Sequence, residues 1–291
     1  MIRLRPAAAV LAVLLTGALL WGGPPAHAQD RGQTVPRVSP NATVSQTVGV
    51  TTVEITYGRP HARDRDIFGS LVPYGEVWRT GANEATTISF STPVRVEGQS
   101  LPAGTYGFFT IPGQDTWTLI FNEQAEQWGA YNYDDSTDAL RVDTTPKSAP
   151  KHEMMTFTVT DVTDSTATVQ LLWDETRVPF DLAVNTVDVL RRRASEEVPS
   201  ATEWQTPLRY VVYALENEVL LDEALGWAQR SIELDERYGN LRMKAEVHAA
   251  LGQYDAAVTA GEAALAKAEA QDDPPGGVEE LRGNVDRWAS Q

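Results

Sequence analysis

LPAGTYGFFTIPGQDTWTLIFN, residues 101–122, holds two alternating runs, 105–111 and 116–122, on either side of Ile111-Pro112-Gly113-Gln114. Side chains of a strand point alternately to opposite faces, so such a run reads as a half-buried strand, and Pro-Gly between two of them reads as a chain reversal. Leu101-Pro102-Ala103-Gly104 closes the far end of the first run with the same turn chemistry. The stretch predicts a hairpin within an antiparallel sheet.

The same grammar extends in both directions. Alternating segments rich in Val, Thr, Ile, Phe and Tyr fall near 43–48, 51–57, 86–91, 93–97, 139–145, 154–162, 166–173 and 177–184. Val96-Glu97-Gly98-Gln99 and Trp173-Asp174-Glu175-Thr176 supply further turn signals. About nine or ten short strands with no helix between them predict an antiparallel β-sandwich or barrel over residues 41–184.

From Val187 onward the spacing turns helical, and Ala, Leu and Glu replace Val and Thr. Leu221-Asp222-Glu223-Ala224-Leu225 aligns with Tyr254-Asp255-Ala256-Ala257-Val258 at an offset of 33 residues. That is close to the tetratricopeptide period of about 34 residues, so residues 185–291 predict a tetratricopeptide-like helical domain. The second copy carries Leu241, Ala245, Gly252, Tyr254, Ala257 and Ala264 where that pattern places apolar or small residues. A further helix is expected near 277–289, after Asp272-Asp273-Pro274-Pro275-Gly276-Gly277. The fold class expected for the whole chain is α+β.

The first 28 residues read as a signal peptide. Arg3 and Arg5 precede an apolar run from Ala7 to Leu20, and Ala26-His27-Ala28 has the small-x-small pattern of a cleavage site. Export to the periplasm or beyond is the expectation, with Gln29 as first mature residue and no membrane span after cleavage. Residues 29–40, poor in apolar side chains, read as a disordered leader. Removing Arg3 and Arg5, with no acid lost beside them, takes the net charge from -16 to -18. A field of that sign disfavours nucleic acid as a partner. The absence of Cys removes disulfides, thiolate nucleophiles and Cys-based zinc sites together.

The densest chemistry lies in VPYGEVWRTGANEATTISFS, residues 72–91. Trp78, Arg79, Asn83 and Glu84 fall within seven positions of one loop, where an indole, a guanidinium, an amide and a carboxylate exceed what a turn requires. Arg59 and Arg65 precede them, and Trp128, Tyr131 and Tyr133 are expected to join from a later loop. Guanidinium forks suit a carboxylate or phosphate, and aromatic faces suit a sugar ring or a flat group. The bland reading makes Arg79 and Glu84 an internal pair pinning the loop, with Trp78 as its plug.

Other chemistries are weaker. His61, Asp64 and Asp66 are interleaved with Arg63 and Arg65, and Asp134, Asp135 and Asp138 lack the Gly and terminal Glu of a calcium loop, so no metal site is assigned. No nucleophile elbow, phosphate loop or HExxH pattern occurs, so no catalytic residue and no cofactor is assigned. Glu84 acting with Asp66 or Glu76 as the carboxylates of a cell-envelope glycan hydrolase is an alternative. A structural assembly module is a second.

Three collinear stretches, YGRPHARDRDIFGSLVPYGEVWRTGANEATTISFS (57–91), VEGQSLPAGTYGFFTIPG (96–113) and WTLIFNEQAEQWGAYNY (117–133), followed by RVPFDL (177–182), resemble a bacterial family known only as domain of unknown function 2911. The resemblance implies an exported, periplasmic, all-β domain that some relatives join to a helical tail. It carries no reaction and no catalytic residue. The sequence thus predicts a binding module for a small anionic or polyhydroxylated ligand, with a helical tail that docks a protein or peptide partner.

Overall fold

A computed structural model describes residues 34–291. Residues 1–28, read as a signal peptide, and the beginning of the stretch read as a leader lie outside the described residues.

Ten strands come first: β1 Asn41–Val48, β2 Thr51–Gly58, β3 Thr86–Phe90, β4 Val94–Val96, β5 Gln99–Leu101, β6 Gly104–Ile111, β7 Trp117–Asn122, β8 Asp138–Thr144, β9 Lys147–Thr160 and β10 Thr166–Val184. All pairings are antiparallel. They form a six-stranded sheet, β1-β2-β3-β6-β7-β8, and a four-stranded sheet, β5-β4-β10-β9, and no closed barrel. One core joins both sheets: Val53, Ile55, Ile88, Phe108 and Phe121 from the first meet Phe157, Val169, Leu171 and Phe180 from the second. These are the inward members of each alternation, and their removal from water is the main stabilising term.

The hairpin read at 101–122 is present, with Phe109 opposite Ile120 in the β6–β7 ladder. Glu97 and Gly98 both adopt positive φ, 47° and 78°. That is the twist a two-residue connection between β4 and the short β5 demands. The turn expected at Trp173-Asp174-Glu175-Thr176 falls within the span of β10. The chain doubles back there: Val184 N donates to Ser165 O at 2.8 Å and Thr168 Oγ1 to Asp181 Oδ1 at 2.9 Å, so residues 166–173 and 177–184 run side by side as two arms of β10. Asp174 takes φ 51°, and β9 follows the outside of the bend with shifts of register.

Six helices follow: α1 Thr186–Ser200, α2 Gln205–Glu216, α3 Leu221–Leu234, α4 Tyr238–Ala250, α5 Tyr254–Glu269 and α6 Val278–Trp288. Ala214, Ala224 and Ala228 in one helical core and Ala264 and Ala268 in the next are fully buried, the small residues on which neighbouring helices nest. At Gly261 a Cβ would press on the Val285 methyl, so α5 and α6 approach closely there. The two parts are locked at their joint. Thr186 Oγ1 donates to the Asp164 carbonyl in the β9–β10 turn, and Gly49, at φ 56°, packs against both groups.

Candidate functional site

Between β2 and β3 the chain makes a long excursion, residues 59–85, and that excursion positions the predicted residues. Trp78 and Thr110 exchange backbone hydrogen bonds at 2.8 and 2.9 Å, so the loop briefly continues the sheet alongside β6. Successive residues there face opposite ways. The Trp78 side chain enters the sandwich core, 8 % exposed, and stacks on Trp173 at 5.8 Å between ring centroids. Phe68 closes edge-on over Trp78 and Trp117. Trp78 thus plugs the sandwich core.

Its neighbour Val77 packs on the opposite face with Phe109, Ile120, Ala85, Ala130 and Tyr133. These residues make a small second core on the outside of the six-stranded sheet, under the loop 76–85 and the loop 123–133. Asn122, fully buried, organises the second loop: its Nδ2 donates to Asp134 O, Thr137 Oγ1 and Asp138 Oδ1, and its Oδ1 accepts from Gln124 N. The loops are stitched together by Ala85 N to Gln127 O at 2.9 Å and Gly129 N to Asn83 O at 3.1 Å.

Arg79, Asn83, Glu84, Trp128 and Tyr131 come together on this seam. Arg79 is half-buried, and its Nε is shielded from solvent without a hydrogen-bond partner among the described residues. Burial pulls its pKa below the ordinary guanidinium value, and the nearby Tyr131 phenol opposes that shift. Trp128 and Tyr131 stand 58 % and 83 % exposed. Asn83 adopts positive φ, 65°, and its Nδ2 donates to Ser39 O at 3.0 Å.

Glu84 does not pair with Arg79. Both its oxygens accept from Nη1 of Arg37, at 2.8 and 2.7 Å. Arg37 belongs to the segment read as a disordered leader. Arg37, Ser39 and Pro40 bond to Glu84, Asn83 and Arg59 respectively, which fastens the segment to the seam. Its low apolar content gave no hint of this, because charge and backbone contacts hold it.

The side chains of Arg59 and Arg65 are engaged elsewhere. Arg59 reaches to β9, its Nε donating to Met155 O at 2.9 Å and its Nη2 to Thr156 Oγ1 at 2.7 Å. Arg65 donates to the carbonyls of Ala62 and His61 and holds its own loop in shape. Among the carboxylates considered for metal, Asp64 faces Lys151 at 3.2 Å, and Asp138 accepts from Tyr133 and Arg141, each at 2.6 Å. Burial and the Asp138 hydrogen bond push the Tyr133 phenol up to about 12. Among the described residues no helix is long and apolar enough to cross a membrane.

Residues 39–182 match the model of a family described as Protein of unknown function (DUF2911). No curated protein and no solved structure matches the chain.

Proposed function

We propose, for a chain whose residues 39–182 belong to the DUF2911 family, an exported and non-catalytic binding module that takes a small anionic or polyhydroxylated ligand at Arg79. One observation carries the reading: a half-buried guanidinium with an unbonded Nε lies beside two exposed aromatic rings, Trp128 and Tyr131. A shielded donor without a partner is costly, and an anion that accepts from it recovers that cost. The indole and phenol offer flat apolar faces to a sugar ring, and Asn83 and the loop backbone hold the seam in shape. Export rests on the first 28 residues, and the helical tail docks a partner in this reading. Glu84 as an acid or base draws no support from the geometry, since Arg37 engages both its oxygens.

Calorimetric titration with acetate, glucuronate, N-acetylglucosamine and peptidoglycan fragments tests the site. Arg79→Met and Trp128→Ala should each weaken binding about tenfold or more while leaving the thermal midpoint near that of the parent. Wild-type affinity in Arg79→Met sinks the reading. N-terminal sequencing of secreted material checks export, with Gln29 as the expected first residue.

A further inference from the structure

The RVPFDL stretch lies in β10 of the four-stranded sheet, whereas the seam lies on the six-stranded one. There Arg177 stands directly opposite Lys147 in the β9–β10 ladder. Directly opposed residues of an antiparallel pair share one face of the sheet, and like charges so placed repel. Neither cation is ion-paired among the described residues, although the chain is strongly acidic. The Arg177 Nε is shielded from solvent and has no hydrogen-bond partner among the described residues. A pair of this kind disfavours folding unless something negative joins it.

Both cations line a cavity of about 490 Å³ where the end of β8 meets β10, together with Thr168, Gln170 and the three carboxylates Glu97, Asp161 and Asp181, of which Glu97 accepts from Asp181 N at 2.7 Å. Asp181 Oδ1 accepts from Thr168 Oγ1 at 2.9 Å, and Asp161 Oδ2 accepts from Thr160 Oγ1 at 3.0 Å. A carboxylate offers about four lone-pair sites, so each retains acceptor capacity.

We infer that this cavity is a second binding site, for a uronic acid: a sugar carrying one carboxylate and several hydroxyls. The carboxylate accepts from Arg177 and Lys147, and the hydroxyls donate to Asp161 and Asp181 and exchange hydrogen bonds with Gln170. A bare oxyanion such as sulfate has no donor for the two aspartates and meets their repulsion. A neutral sugar leaves the cation pair uncompensated. Both therefore bind more weakly than the acid sugar.

The test is calorimetric titration of Arg79→Met protein, which removes the seam site, with glucuronate, glucose and sulfate at low ionic strength. Glucuronate should bind with glucose and sulfate each about tenfold weaker or more. Lys147→Glu, at an exposed position, gives Arg177 an internal partner and should raise the thermal midpoint while weakening glucuronate about tenfold or more. Absence of glucuronate binding at about 50 mM, or equal affinity in the parent and Lys147→Glu, overturns the site. Sulfate binding as tightly as glucuronate overturns the ligand class.

Discussion

Arg37 grips both carboxylate oxygens of Glu84 across 47 positions of sequence. The two side chains are only 22 % and 16 % exposed, so this is a partly desolvated, bidentate pair and not a surface ornament. Removing either partner takes a charge-assisted hydrogen bond from the other.

Arg37→Ala and Glu84→Ala should therefore each cost about 1–3 kcal/mol. The double variant should cost less than the sum of the two. Urea unfolding of the four proteins in a double-mutant cycle measures the coupling. Additive effects would show that the grip contributes nothing.

Trp78 lies at the centre of the aromatic cluster with Phe68, Trp117 and Trp173. Trp78→Ala should cost about 3–5 kcal/mol, from lost burial plus the cavity left behind. Denaturant unfolding followed by tryptophan fluorescence measures it. Trp128→Ala, at a ring 58 % exposed, should change stability by well under about 1 kcal/mol. Equal costs at the two positions would contradict their assignment to core and surface.

Gly49 tests the joint. Its φ is 56°, and a Cβ there would overlap the Asp164 carbonyl and Thr186 Oγ1. Gly49→Ala should destabilise by about 2 kcal/mol or more, combining backbone strain with the clash. Hydrogen exchange should report faster opening of the first turn of α1 and of the β9–β10 turn than of α4. A uniform effect would argue against a local lock.

Two phenols set the alkaline limit. Tyr133 and Tyr210 are both pushed up to about 12, by burial first and then by hydrogen bonds to Asp138 and Glu197. Each folded-state pKa exceeds the ordinary value of 10.0, so the unfolded chain gives up these protons first as pH rises. Their contribution is complete below about pH 10 and is lost as pH climbs through about 12. Denaturant midpoints measured across that window should fall, and the double variant Tyr133→Phe, Tyr210→Phe should flatten the decline. An unchanged profile in that variant would assign the fall to other groups.

The strands were legible because alternation and Pro-Gly punctuation are local signals, as in the β6–β7 hairpin. The reversal at 173–176 was legible from the same turn chemistry. That β9 follows the outside of this bend, with shifts of register, had no local signal. Likewise, the clustering of Trp78, Arg79, Asn83 and Glu84 in sequence said nothing about direction. Trp78 turns inward to Trp173, Arg59 crosses to Met155, and Glu84 is claimed by Arg37. Each of those partners is remote along the chain. Asn122 was missed as the organiser of the Trp128 loop because an Asn at a strand end is commonplace.

The short passage from sheet to helices has a mechanical corollary. The second arm of β10 pairs with β4 and passes into α1 after a single residue, Asn185. A pull delivered through the helices thus acts along the strand, across hydrogen bonds that lie perpendicular to it. Those bonds are loaded together in shear and do not open one after another like a zipper. Anything tethered to the helical end would drag on the whole four-stranded sheet before it could peel any part away.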